Sequence, residues 1–270
     1  MNYPYGKQIL ITGASSGIGL AAARIFAEAG YTVYAASRRG SAAEDAQNIH
    51  PVRMDVTDEG SVQKAYEQIS AQGGVGIILH CAGMGLAGAA EDTPEAAVRR
   101  IFDVNYFGVL RVNRVFLPAV RQRGCGLVLV MSSIAGQVPM PYQCYYSCTK
   151  FALETYVESL RMEAGQYGIR AALIEPGYTN TGFIAALETA VPEDSPYKAA
   201  CDKLMAEKAH ACDVGDPPEL AAKIALKLAE KKNPPVRVAI GGFFKLVIFL
   251  RRIVPAKFFE KVFSAVEIKK

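Results

Sequence analysis

The sequence predicts a doubly wound α/β fold, one domain built around a seven-stranded parallel sheet with helices on both faces. Three observations carry that expectation. Seven short apolar runs alternate with helix-patterned stretches along most of the 270 residues. Several of those runs are apolar at every position, as strands covered on both faces of a parallel sheet must be. A glycine-rich loop joins the first run to the first helical pattern, and a strand–turn–helix start suits such an alternation.

In chain order, strands are expected at residues 8–12, 32–36, 49–54, 76–80, 127–131, 171–175 and 236–240. Helices are expected at 17–29, 59–72, 94–122, 145–167 and 217–231. Pro94 and Pro217 stand at first-turn positions that tolerate a missing N–H, and Gly30 and Gly168 stand where helices stop. Two stretches break the rhythm. Residues 182–215 mix apolar residues and prolines without strand character, and an insertion of that length between a strand and its helix reads as a lid over a site. The other is the apolar, basic tail at 243–270, beyond a main domain at 1–242.

Hydrophobic residues make up 51% of the chain and charged ones 21%, which describes a globular protein. A net charge of +4, with no Lys/Arg block in the first 200 residues, gives nucleic-acid binding no support. Met1, Asn2 and the next five residues lead into the first strand without a signal-peptide pattern, so a cytoplasmic location is expected. The six cysteines contain no Cys-x-x-Cys pair, and with three histidines no zinc spacing emerges, so no metal is expected. Cys144 and Cys148 flank Tyr146 at helical spacing, and packing thiols in a reducing compartment explain them more simply than a disulfide.

Thr12-Gly13-Ala14-Ser15-Ser16-Gly17-Ile18-Gly19 follows the first strand and opens the first helix. Glycines there let the backbone approach a pyrophosphate seated at the positive end of the helix. Gly13, Ser15, Ser16, Gly17, Ile18 and Gly19 are therefore candidate cofactor contacts. The second strand runs into Ser37, Arg38 and Arg39, where a carboxylate would be expected to bind the ribose hydroxyls of NAD. Two guanidiniums in its place favour NADP(H), whose 2′-phosphate they can grip, over NAD(H). Asp55, with Val56 beside it, can accept the adenine amino group, or Asp55 and Thr57 can cap the next helix.

Tyr146 and Lys150 are one helical turn apart, and Ser133 lies thirteen positions before the tyrosine. Residues i and i+4 share a helix face, so the ammonium can sit beneath the phenol. A fixed cation favours phenolate and is expected to pull the phenol down from its usual value near ~10. Such a tyrosine exchanges a proton with a carbonyl or alcohol oxygen.

Together these pieces resemble the short-chain dehydrogenase/reductase family in its common single-domain form, over about residues 7–242. The glycine loop is similar to its Thr-Gly-x-x-x-Gly-x-Gly, and Ser133, Tyr146 and Lys150 are similar to its catalytic Ser, Tyr and Lys at the family's spacing. The resemblance implies a Rossmann-type fold and a catalytic tetrad completed by Asn105, which would hold a water linking Lys150 to solvent. It implies that Pro176, Gly177, Thr179 and Thr181 embrace the nicotinamide, and that Ala82 and Gly83 line the adenosine ribose. Lys150 would also bond the nicotinamide ribose. A homodimer or homotetramer, packed through the helices at 94–122 and 145–167, is a further expectation from the family. One motif departs: His80-Cys81-Ala82-Gly83 stands where the family has Asn-Asn-Ala-Gly, and a structural role for His80 is favoured over a catalytic base.

By this reading a hydride moves between nicotinamide and a carbonyl carbon. Leu86, Val138, Pro139, Met140, Tyr142, Tyr178 and Phe183 offer apolar and aromatic walls without a cationic anchor. They suit a lipophilic ketone or secondary alcohol of steroid, retinoid or acyl type, and the chain looks most like the hydroxysteroid- and retinoid-type subgroup. Two rivals stand beside this reading: an NAD-linked hydroxysteroid-type dehydrogenase, and a regulator that senses dinucleotide without turnover. In the tail, Phe258, Phe259, Val262, Phe263 and Val266 form a helical stripe with Lys257, Glu260 and Lys261 off it. No uncharged run approaches the ~20 residues that span a bilayer. Three readings stay open there: a helix closing the site or packing on another subunit, a peripheral membrane contact, or intramolecular core.

Overall fold

The computed structural model describes residues 3–40 and 47–267, with side chains through Phe263. Met1, Asn2, residues 268–270 and the Val266 side chain, on which sequence expectations fell, lie outside the described residues. The chain runs β1 (Gln8–Thr12), α1 (Gly17–Glu28), β2 (Thr32–Ser37), β3 (Ile49–Arg53), α2 (Glu59–Ser70), β4 (Ile77–His80) and β5 (Leu86–Ala87). It continues through α3 (Glu95–Phe102), a π-turn (Asp103–Phe107), α4 (Gly108–Gln122), β6 (Gly126–Met131), α5 (Cys144–Ala164) and β7 (Ile169–Glu175). The last elements are β8 (Glu188–Thr189), α6 (Lys198–Asp213), α7 (Pro218–Ala229), β9 (Arg237–Ala239), α8 (Gly242–Ile253) and α9 (Ala256–Glu267).

Seven strands form one parallel sheet, in the order β3-β2-β1-β4-β6-β7-β9, as the sequence predicts. Alternate side chains of each strand serve opposite faces. Ile9 and Ile11 join Phe26 of α1 and Ala222, Ala225 and Leu228 of α7. Leu10 instead joins Val62 and Ile69 of α2, Val112 and Phe116 of α4, and Leu153 and Val157 of α5. Both faces are dry, which is why the strands are apolar at nearly every position.

The strand order reverses between β1 and β4, so the connections after them leave in opposite directions and open a crevice beyond their carboxyl ends. Thr12 closes its base, its hydroxyl accepting from Cys81 N at 3.2 Å and Ala82 N at 3.1 Å.

Two expectations need correction. Residues 94–122 are not one helix, because the π-turn interrupts them and carries Asn105, 1% exposed, toward the loop after β4. Single π-turns of this kind recur at functional sites. Residues 182–215 are more ordered than their mixed composition suggests: β8 pairs with β5, and α6 follows. Only Cys201, Leu204 and Lys208 of α6 are buried, too thin a stripe, with a lysine in it, to announce an amphipathic helix. The tail forms two helices, α8 and α9, parted at Pro255.

At the carboxyl end of β7, Glu175 is 1% exposed and lies beside Glu154 and Arg237, whose Nε is 3.6 Å from Glu175 Oε1. Burial first, then the Glu154 carboxylate, raises its pKa from 4.5 to about 8. The folded chain therefore keeps this carboxyl protonated where the unfolded chain ionises it. Its contribution to stability is complete below 4.5 and is lost as pH rises toward and through about 8. Thermal unfolding across that window is expected to show a falling midpoint, and Glu175→Gln, neutral and isosteric, is expected to flatten the fall.

Candidate active site

The crevice is a cavity of ≈ 720 Å³ that runs from the glycine loop past the ends of β2 and β3 to the start of α5. That volume lies in the range of a ligand or cofactor site, roughly 300–1,000 Å³. At one end are Gly13, Ser15, Ser16, Gly17, Ile18 and Gly19. Gly13 has φ +67, and a Cβ there would lie 2.7 Å from the Ala82 backbone, so only glycine fits between β1 and the loop after β4. α1 begins there without a side-chain cap, leaving its first N–H groups free to meet an anion. Ser37, Arg38, Asp55, Val56, Ala82 and Gly83 line the adjoining stretch. Pro176, Gly177, Thr179 and Thr181 line the far side.

Arg39 is exposed and does not line the cavity, so of the two guanidiniums only Arg38 faces it. Consecutive residues leaving a strand project to different sides, and only one could. Asp55 Oδ1 accepts from Thr57 N at 2.9 Å and Thr57 Oγ1 at 2.8 Å, while Asp58 caps α2 through Gly60 N. The capping alternative therefore belongs to Asp58. Those two bonds, with Arg38 and Arg111 at longer range, outweigh the leading effect of burial and hold the Asp55 carboxyl below its usual range.

At the other end α5 presents Tyr146, Lys150 and Glu154 along one face, each four residues after the last. Tyr146 and Ser133 both line the cavity, with the Ser133 hydroxyl near enough to favour the phenolate. Ser133 follows β6 and also accepts from Ala135 N at 3.1 Å, which fixes its side chain. Lys150 is 6% exposed, donates to Met131 O at 2.9 Å, and lies 5.6 Å from the centre of the Tyr146 ring.

The electrostatics overturn one expectation. The Tyr146 phenol is not lowered toward neutrality. Burial raises it to about 12, against the opposing Ser133 hydrogen bond. Burial is also the main effect on Lys150, lowering it to about 8, while Cys81 and Glu154 oppose it. In this arrangement desolvation is the leading effect on the phenol, and Ser133 alone opposes it.

Asn105 does not line the cavity. Its amide donates to Met84 O at 2.9 Å and Thr149 Oγ1 at 3.2 Å, and its oxygen accepts from Met84 N at 2.8 Å. It ties the loop after β4 to the residue before Lys150. His80 is buried and bonded through Nε2 to Asn113 Oδ1 at 2.9 Å. Burial lowers its pKa to about 4, so it is a neutral core group rather than a base reaching the cavity.

Among the expected substrate residues, Met140, Tyr178 and Phe183 line the cavity, and the Phe183 ring lies 5.6 Å from that of Tyr146. Leu86, Val138 and Tyr142 do not. Leu86 is locked in β5 against Ala97 and Ile101 of α3. Val138 packs with Ile134 and with Ile248 of α8. Tyr142 adopts φ 55 and turns its ring toward Tyr197. Pro139 is exposed and also lies off the cavity.

Several lining residues were not singled out from the sequence, although they fall in segments expected to wall the site, residues 83–88, 138–143 and the insertion from Phe183. Lys208 of α6 corrects the expected lack of a cation: it is 4% exposed, lines the cavity and donates to Gln143 Oε1 at 2.8 Å. Cys212 lines the cavity one helical turn later, and Met84, Ile184 and Ala186 complete the walls. Gln143 sits three positions before Tyr146, a spacing that puts both on one face and was visible in the sequence. Glu154 could have been found the same way, one turn beyond Lys150.

The family model for short chain dehydrogenase matches residues 7–191. The chain belongs to the short chain dehydrogenase family. It is 39% identical over 250 residues, 88% of this chain and 89% of the other, to a 3-ketodihydrosphingosine reductase of Bacteroides thetaiotaomicron. It is 32% identical to an uncharacterized Bacillus subtilis oxidoreductase, YusZ, over 95% of this chain and 96% of that one. A short-chain dehydrogenase from Streptomyces avermitilis superposes with a TM-score of 0.80 at 30% identity, covering 97% of this chain and 94% of its own. This short chain dehydrogenase thus shares its fold and its oxidoreductase family with relatives matched over nearly their whole length.

Proposed function

We propose that this short chain dehydrogenase is an NADP(H)-dependent oxidoreductase acting on a lipophilic ketone or secondary alcohol. The observation that carries the reading is that Tyr146, Ser133 and Lys150 line the same cavity as the glycine cradle. Bound there, the dinucleotide supplies or accepts the hydride. The protein's own residues do the rest. Ser133 hydrogen-bonds the substrate oxygen and holds it near the phenol. Tyr146, protonated up to about pH 12, is set to donate to that oxygen as it gains charge. Lys150, held on Met131 O beneath the phenol, supplies the positive field that such a donation needs. Asn105 keeps the loop after β4 in register with α5.

Arg38 supports NADP over NAD, because it is the side chain facing the cavity at the end of β2, where no carboxylate stands. The insertion acts as a lid, since Phe183, Ile184, Lys208 and Cys212 contribute much of the wall opposite Ser133 and Met140. Those walls are apolar except at Lys208 and Gln143, so the substrate is lipophilic with an oxygen-bearing head beside its carbonyl. The relative named as a 3-ketodihydrosphingosine reductase acts, by that name, on a keto compound, which supports the same direction.

Tyr146→Phe is expected to keep NADPH affinity while turnover falls by about 10²-fold or more, checked by cofactor fluorescence beside NADPH oxidation. Turnover unchanged in that variant would remove the mechanism. For Arg38→Asp the expected result is a 10- to 100-fold drop in preference for NADPH over NADH, on the order of 1.5–3 kcal/mol for a charge-assisted bond. Lys208→Met is expected to raise KM for ketones with an acceptor head by about tenfold, with NADPH affinity unchanged, as one lost hydrogen bond predicts.

A further inference from the structure

Thirteen large hydrophobic residues are exposed among the described residues, and seven of them fall between 243 and 262. Such clustering is not the scattered exposure of an ordinary surface. α8 is apolar on two opposite sides. Phe244, Val247 and Ile248 face inward, onto Ile134, Val138 and Met140. Phe243, Leu246, Leu250 and Ile253 recur at spacings of three and four and form an outer stripe, with Phe249 at its margin. Phe243 is 67% exposed and Ile253 61%. After Pro255, α9 repeats the pattern: Phe259 and Phe263 turn inward while Phe258, 60% exposed, and Val262 face out.

Charge identifies what this face suits. From 242 to 263 the chain carries Lys245, Arg251, Arg252, Lys257 and Lys261 against the single carboxylate of Glu260. That net of +4 equals the formal charge of the whole chain, so the rest is balanced and the excess sits on these two helices, with Lys245, Lys257 and Lys261 exposed and Arg251 over the inward Phe259 ring. A subunit interface tends to be depleted in lysine, whereas an apolar helix face rimmed by Lys and Arg is the composition of a helix lying in the headgroup region. No described helix is long and apolar enough to cross a membrane.

We propose that α8 and α9 dock this protein on an anionic lipid surface, with Phe243, Leu246, Phe249, Leu250, Ile253, Phe258 and Val262 entering the acyl boundary. The exposed Lys245, Lys257 and Lys261 reach back to headgroup phosphates, their alkyl stems lying along the apolar face. The inner side of α8 backs the wall of the active site: the Phe244 ring lies 5.5 Å from that of Tyr178, which lines the cavity. Docking through the outer side therefore brings the cavity wall up to the membrane from which a lipophilic substrate would enter.

The test is co-sedimentation of the full chain with phosphatidylcholine vesicles, with and without phosphatidylglycerol, at low and high salt. Solution mass by light scattering is measured in parallel. Binding is expected with phosphatidylglycerol, falling by about tenfold or more as salt screens the rim. Phe243→Ser/Phe249→Ser/Ile253→Ser and Lys245→Glu/Lys257→Glu/Lys261→Glu are each expected to reduce binding by at least about tenfold while solution mass and circular dichroism stay unchanged. No binding to either vesicle, or binding that neither variant weakens, overturns the proposal. So does a serine variant that turns a defined oligomer into a monomer yet still binds vesicles, which would assign the face to a second copy of the chain.

Discussion

The site depends on a lysine ammonium held in a nearly dry place by one main-chain carbonyl. Lys150 reaches Met131 O, the last carbonyl of β6, from the second turn of α5. A buried cation is costly, and it persists only where neighbours return part of its lost hydration. Here those neighbours are a strand end, the Cys81 thiol and the Glu154 carboxylate one helical turn away. Because α5 is packed through Leu153 and Val157 on the sheet, Lys150 cannot retreat to solvent. The same packing sets where Tyr146 and Gln143 emerge, one turn and two turns earlier. Lysine, phenol and amide are thus placed by one apolar helix face.

Below the lysine the charges continue. Glu154 accepts from Ser132 Oγ at 2.5 Å and from Gln137 Nε2 at 2.9 Å, and it neighbours Glu175 and Arg237. Burial beside the Glu154 carboxylate raises Glu175, which keeps its proton. Glu154 therefore stands between the cation at the cavity floor and a protonated carboxyl. This couples the stability of the β7 and β9 ends to the electrostatics behind the phenol.

Much of this was legible in the sequence, for identifiable reasons. Strands buried on both faces leave continuous apolar runs, and a glycine at φ +67 wedged against Ala82 has no substitute, so the sheet and the cradle were readable. Tyr146 and Lys150 were readable because helical spacing alone puts them on one face. What was hidden depended on contacts between distant segments. The π-turn at Asn105 follows from bonds to Met84 and Thr149, twenty-one and forty-four positions away. Lys208 resembled a solvated surface lysine until α6 folded over the cavity and set it on Gln143, sixty-five positions away. Val138 and Leu86 read correctly as apolar, but periodicity cannot say which of two apolar neighbourhoods a side chain joins. The sign of the Tyr146 shift was missed because spacing reports the neighbouring cation and not the burial that raises the phenol.

The loop after β7 joins the two halves of the molecule's chemistry. Gly177 lines the cavity on one side, and on the other a Cβ there would fall 2.0 Å from Phe244 Cε2. Glycine is required so that α8 can press its ring onto the loop that also bears Tyr178 and Thr179. A shift of α8 would have to move this loop or open a void against Ile134 and Met140, and close-packed interiors tolerate neither cheaply. The tail is therefore no loose appendage. Its inner face backs the wall that shapes the substrate space, and its outer face lies one helix diameter away, about 10 Å. What the outer face touches is mechanically joined, through Phe244 and Gly177, to the place where a carbonyl meets Ser133 and Tyr146.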